Sequence, residues 1–301
     1  MRNKRFSVSK LGDYMACPYQ YHLKRKGYKS DRPRSDSILR GNILHNSIGA
    51  MLHQVQKDTG IVPVNIQQYV KDMNDAYVIE NPEAKGETSR YGDIPSEIAK
   101  RLAVQLDVDT WENMVIERSL KCEYLTYNDN VMEYGHAPID FTGIPDLIAR
   151  IDGQDVLIDW KTSPNKSTYG KEYHKFQLGM YVALAVKHDM ISPDEWGVYH
   201  AKVIVVKNSL YERETTPFTG EIDFEFTEQA LMNIENLVLD IISKILYADD
   251  RSKHMNWSTC NYCDFRQKCH AELLGERVDW RQTKNIRIDK NNLPDNLRIV
   301  E

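Results

Sequence analysis

The sequence predicts an α/β fold, a sheet flanked by helices, with a helical insertion in its first half. Three observations carry this. Apolar residues recur at helical spacing over much of the first 113 of 301 residues. Two Val- and Ile-rich runs then meet at Asp152-Gly153, a strong two-residue hairpin signal. Beyond the hairpin, helical, strand and helical patterns follow one another.

Ser9 to about Lys26 reads as a helix, capped by Ser9, with Leu11, Tyr14, Met15 and Leu23 on its apolar side. Ser35 to His53 reads as a second, with Ile38, Leu44, Ile48 and Leu52 in register and Gly41 tolerated inside. Asn65–Glu80 and Pro95–Asn113 continue the helical character around a Gly-, Pro- and charge-rich loop over 81–93. Val115–Tyr127 reads as the first strand, followed by hairpin strands Ile144–Ile151 and Asp155–Ser163. Lys171–His188 reads as an amphipathic helix, Gly197–Lys207 as a strand and Phe226–Tyr247 as a helix preceded by a turn near Pro217 and Gly220. A cysteine-bearing segment follows from about Arg251, then a polar tail.

The net charge is −5, so the whole molecule is no polycation. Its first forty residues are nevertheless basic, with Arg2, Lys4, Arg5, Lys10, Lys24, Arg25, Lys26, Lys29, Arg32 and Arg34. A local basic face suits a phosphate backbone, although a solvated surface has the same composition. No apolar stretch is long enough to span a bilayer and no signal-peptide core opens the chain, so a cytoplasmic protein with no membrane partner is expected. No phosphate-binding G-x-x-x-x-G-K-[ST] loop occurs, which excludes a P-loop motor in this chain.

The hairpin sets an electrostatic problem. With Asp152-Gly153 as the turn, Ile151 faces Gln154, Arg150 faces Asp155 and Ile148 faces Leu157. Asp146 then faces Asp159, a like-charge pair that destabilises a sheet. Lys161, two residues beyond Asp159, points to the same face. Asp159 follows Val156-Leu-Ile158 and is expected near buried surface, where an unpaired carboxylate is costly. A hard divalent cation, Mg2+ or Mn2+, would settle both carboxylates.

The cysteines are Cys17, Cys122, Cys260, Cys263 and Cys269. An odd count in a reducing compartment argues against a disulfide framework and towards metal ligation. Cys17 with the trio Cys260, Cys263 and Cys269 supplies four thiolates, enough for tetrahedral zinc or an iron–sulfur cluster; spacing leaves both open. Cys122 stands outside the pattern and reads as a small buried hydrophobe.

The order Gly143-Ile-Pro-Asp146 then Asp159-Trp-Lys161 resembles the PD-(D/E)XK nuclease superfamily. Gly41-Asn-Ile-Leu-His45 is similar to the G-x-x-x-H helix of its RecB-like branch, and Gln177-Leu-Gly-Met-Tyr181 to that branch's Q-x-x-x-Y helix. Alone on an apolar helix, His45 would read as a satisfied core histidine; the company of Asp146 and Asp159 makes it a candidate ligand. Ser7-Val-Ser-Lys-Leu11 leading to Cys17-Pro-Tyr19 is similar to the opening of CRISPR-associated RecB-like exonucleases, and the one-plus-three cysteine distribution also resembles the AddB nuclease domain.

The resemblance implies a restriction-endonuclease-like core, a mixed central sheet flanked by helices. It implies a single nuclease domain over 1–301, with 51–113 as a helical insertion or cap and 1–30 plus 251–275 as an iron–sulfur staple. It further implies Mg2+ or Mn2+ held by His45, Asp146, Asp159 and the Trp160 carbonyl, with Lys161 as the catalytic lysine. Gln177 and Tyr181 would position the strand, and Cys17, Cys260, Cys263 and Cys269 would hold a 4Fe–4S cluster. The implied activity is a metal-dependent DNA exonuclease acting on single-stranded DNA or ends, in repair, recombination or CRISPR and phage DNA processing, beside a helicase, recombinase or integrase partner.

Tyr14, Tyr19, Tyr21 and Tyr28 could stack on unpaired bases or pack against the cysteine site. Glu123 could face the metals, without a register argument. The alternatives are a catalytically silent DNA-binding adaptor of a helicase or integrase complex and a zinc-stapled structural module. The tail after about Glu276 has no assignment.

Overall fold

The computed structural model describes residues 4–28, 36–57, 75, 78, 94–126, 137–162, 172–206, 218–248, 251–253, 260, 263–275 and 278. The expected loop over 81–93, nearly all of the expected helix over 65–80 and most of the tail lie outside these residues. By its contacts the chain divides into two compact units, Met1–Val8 with Arg34–Ser243, and Ser9–Pro33 with Lys244–Glu301.

The first unit holds two sheets. The larger takes the order β2 (Glu112–Ile116), β5 (Leu147–Ile151), β6 (Gln154–Thr162), β7 (Val198–Val206), β8 (Phe218–Thr227). Its β6–β7 pair is parallel and the others antiparallel, so the sheet is mixed. The smaller sheet sets β4 (Ala137–Gly143) between β1 (Lys4–Ser7), parallel to it, and β3 (Leu120–Thr126), antiparallel. In the larger sheet, Val156, Ile158 and Trp160 of β6 bury against α3 (Asp36–Lys57) and α4 (Ile94–Gln105), through Leu44, Ile48, Met51 and Leu102. Both faces of the hairpin are buried, Leu147, Val156 and Ile158 on one and Ile148 and Leu157 on the other.

A helix explains that second buried face. α5 (Glu172–Lys187) packs on β6 and β7 of the larger sheet and on β3 and β4 of the smaller. Every residue from Leu178 to Ala185 is buried. Over that stretch the expected amphipathic helix is a core helix, apolar all round because sheets meet it on more than one side. At Gly179 a Cβ would collide with Ile234 and stand 3.0 Å from Phe226, so α5 seats closely against β8 and α6 (Glu228–Ser243).

Three further expectations are corrected. Val115–Tyr127 is two strands in different sheets, because Glu117 takes a left-handed conformation (φ 45°) and turns the chain. Pro95–Asn113 is helical only to Gln105; a 3-10 turn over Val108–Thr110 and strand β2 follow. Phe226–Tyr247 is the end of β8, then α6 with Thr227 as its cap, its Oγ1 accepting the Ala230 N–H at 3.2 Å.

In the second unit, the expected single helix over Ser9–Lys26 is broken at Cys17. Pro18 follows, and the residue before a proline is steered out of the helical region; Cys17 accordingly lies extended (φ −164°, ψ 112°). α1 (Val8–Ala16) and α2 (Pro18–Arg25) flank the break, and α7 (Arg266–Leu273) closes the described part of the unit. Tyr14 and Tyr21 are buried in an edge-to-face pair with centroids 5.6 Å apart, so neither ring is free to take a base. No helix among the described residues is long and apolar enough to cross a membrane.

Candidate active site

The β5–β6 turn is built as expected: Asp152 (φ 52°) and Gly153 (φ 80°) both take positive φ, the geometry that matches strand twist in a tight hairpin. Ile151 pairs with Gln154, Arg150 with Asp155 and Ile148 with Leu157. The Arg150 Nε–H donates to Asp155 at 2.9 Å. The ladder ends at Leu147 and Ile158, however, one pair short of the two aspartates. Instead, the Asp146 carbonyl accepts the Glu117 N–H at 3.0 Å, and its Oδ2 accepts the Trp160 N–H at 2.8 Å. Asp146 is thus turned across β6 beside Asp159.

Asp159 is 3% exposed. Burial, with the Asp146 carboxylate adding to it, pushes its carboxyl up to about 6, against the pull of Lys161. Lys161 forms an ion pair with it. Burial works against the Lys161 ammonium, but Asp159 more than offsets this and holds its pKa above the usual value.

His45 reaches this corner from α3. Its Nε2 lies 3.0 Å from Asp146 Oδ1 and its Nδ1 3.5 Å from Glu117 Oε1. Burial disfavours the imidazolium, yet Asp146, Glu117 and Asp159 outweigh it and raise the pKa. Gly41 and Gly49 stand one turn either side of His45 on the same helix face. A Cβ at Gly41 would sit 2.8 Å from Thr162 Oγ1, and one at Gly49 3.1 Å from Glu117 Oε1. Missing side chains therefore let α3 settle onto the strand ends.

From α5, Gln177 Nε2 stands 3.5 Å from the Tyr181 hydroxyl. Tyr181 is buried, which pushes its phenol up to about 12, and both Asp159 and Lys161 act on it. Its ring closes on Gly143, where a Cβ would lie 2.9 Å away.

Two residues at this corner escaped the sequence reading. Glu117 carried no usable signal, because its segment reads as continuous strand. His174 did carry one, standing three residues before Gln177 on the same helix face. It is half-buried and hydrogen-bonds with Gln177; burial first and Lys161 second push its pKa down. Glu123, by contrast, is exposed in the small sheet opposite Asp140 and does not share the corner. Cys122 is half-buried there, and burial pushes its thiol up.

Among the described residues, no three His, Cys, Asp or Glu side chains are posed as a metal site. Here the donors are turned on one another, His45 on Asp146 and Lys161 on Asp159. The chemistry nevertheless fits a hard cation: two carboxylates, one buried and held partly protonated by its surroundings, beside an imidazole.

In the second unit, Cys17, Cys260, Cys263 and Cys269 line one cavity together with Tyr19 and Lys253. Burial, then the neighbouring thiols, push Cys263 up to about 11; its Sγ accepts the Phe265 N–H at 3.4 Å. Burial pushes Cys269 up to about 12, with Lys253 pulling the other way. Four thiols around one partly apolar cavity fit a group that binds and deprotonates them.

A family model described as the PD-(D/E)XK nuclease superfamily matches residues 5–270. No curated protein matches. Among solved structures, one titled "Crystal structure of SSO0001" is 17% identical, covering 73% of this chain and 82% of that chain with a TM-score of 0.34.

Proposed function

The chain belongs to the PD-(D/E)XK nuclease superfamily, and from that premise we propose that it is a metal-dependent DNA exonuclease of the RecB-like branch, acting on single-stranded DNA or DNA ends. The observation that carries this reading is the meeting of His45, Asp146, Asp159 and Lys161 at one corner of the larger sheet. Nucleases of this superfamily usually use Mg2+ or Mn2+. Here His45, Asp146, Asp159 and the Trp160 carbonyl would hold one or two such ions. When bound, the metal polarises the scissile phosphate and lowers the pKa of the attacking water.

The chain's own residues do the rest. Lys161 orients the water and stabilises charge growing on the phosphate. Trp160 N–H fixes the Asp146 carboxylate, and Glu117 faces the second nitrogen of His45, so the ligand side chains are held before any ion arrives. Gln177 and Tyr181 position the strand from a helix locked in the core.

The same reading gives the second unit a 4Fe–4S cluster on Cys17, Cys260, Cys263 and Cys269, pinning α2 to the segment around α7. It places the enzyme in DNA repair, recombination or CRISPR and phage DNA processing, beside a helicase, recombinase or integrase. Digestion of 5′- and 3′-labelled single- and double-stranded DNA with Mg2+ or Mn2+ tests the activity. Stepwise shortening of single strands from one end, strongly slowed in Lys161→Ala, is the expected result. Metal-dependent binding with no cleavage of any substrate would instead make the chain a silent adaptor.

A further inference from the structure

Lys253 enters the cysteine cavity in a fixed pose. Its Nζ lies 2.7 Å from Glu272 Oε2 and 4.7 Å from the centre of the Tyr19 ring. The Tyr19 hydroxyl donates to the same Glu272 oxygen at 2.6 Å, and the Tyr19 N–H donates to the Ser252 carbonyl at 3.1 Å. Tyr19, two residues from Cys17, therefore packs at the cysteine site. Lys253 lines the cavity together with the four cysteines, and Glu272 is not among its lining residues, so the cation of this pair stands at the cysteine site. Arg266 lines the same cavity; Lys253 is the cation whose pose the Glu272 and Tyr19 contacts fix.

Four thiolates around a 4Fe–4S core carry net negative charge, and one-electron reduction adds another. A cation at the rim favours the more negative state, and a nearby carboxylate opposes it. We propose that Lys253 and Glu272 form a charge pair that sets the reduction potential of the group held by the four cysteines, Lys253 raising it and Glu272 restraining it. This rests on the cluster reading of those cysteines. The redox change is the uptake of one electron from an added titrant, with no bond made or broken.

The test is a dithionite titration, with mediators, of anaerobically prepared full-length protein, followed by visible absorption and electron paramagnetic resonance beside iron analysis. Lys253→Met is expected to disfavour reduction about tenfold, a fall of about 59 mV for one electron. Glu272→Gln is expected to raise the potential, and Lys253→Arg to leave it near the wild type. A merely structural pair would not move the potential in opposite directions. Loaded variants with unmoved or like-signed potentials overturn the inference and leave the cluster reading standing. A wild-type protein without iron overturns both. If Lys253→Met fails to retain iron, Glu272→Gln decides alone: an unchanged or lowered potential overturns the inference.

Discussion

Replacing Asp159 by Asn should make the metal-free protein more stable while destroying its response to metal. The folded carboxyl titrates at about 6 rather than 3.8, chiefly because it is buried. Between those values the folded chain keeps a proton that the unfolded chain has released, so metal-free stability falls as pH rises through that window. Above it the whole difference opposes folding. At 1.36 kcal/mol per pH unit that is about 3 kcal/mol at pH 8, and about half as much at pH 5. Solvent screening does not reduce it, since the side chain is 4% exposed. Asn mimics the protonated acid and escapes this cost, although Lys161 then stands without its counter-charge. The assay is urea unfolding in EDTA at pH 5 and pH 8, followed by fluorescence of the buried Trp111 and Trp160. Saturating Mn2+ should stabilise the wild type and leave the Asp159→Asn variant unmoved. A variant less stable than wild type at pH 8 in EDTA, or one that Mn2+ still stabilises fully, would show that the Asp159 carboxylate neither opposes folding nor holds the ion.

Four further outcomes follow from the same geometry. Lys161→Ala should lower cleavage by roughly 10²–10³-fold with DNA binding retained; full activity in clean protein would remove Lys161 from the site. Because Mn2+ must displace a proton from His45, whose pKa is raised, and below about pH 6 another from Asp159, its apparent Kd should weaken by more than about tenfold per pH unit there, as read by titration calorimetry. Gly41→Ala should cost ~1–3 kcal/mol of stability and weaken metal binding, since the new methyl meets Thr162 Oγ1 at 2.8 Å; adding Thr162→Ala should restore much of both. Protein prepared without oxygen should be brown with roughly four irons per chain, whereas stoichiometric zinc would refute the cluster.

Much of the corner was legible in the sequence because it depends on local rules. The Asp-Gly turn fixed the hairpin register, and helical spacing placed Gln177 with Tyr181. Period-two alternation in Glu221–Thr227 was equally legible, with Ile222, Phe224 and Phe226 on one side, yet the Pro217 and Gly220 punctuation hid it. What local rules cannot supply is the assignment of strands to sheets. A left-handed Glu117 sends β2 and β3 to different sheets and carries Glu117 to His45, and nothing in its residue type announces that. The ending of the ladder before Asp146 is likewise tertiary. It follows from the Glu117 N–H claiming the Asp146 carbonyl and the Trp160 N–H claiming its side chain.

The burial of α5 between strands of both sheets has a consequence for binding entropy. Tyr181 rides on, and Gln177 borders, a stretch of α5 with no solvent side, Leu178–Ala185, so their backbone freedom is lost when the protein folds rather than when a strand arrives. Ordering such groups at an interface ordinarily costs about 0.5–1.5 kcal/mol per side chain. On this helix much of that loss belongs to folding, so on the proposed reading the affinity for a DNA strand would be held in the stability of the core.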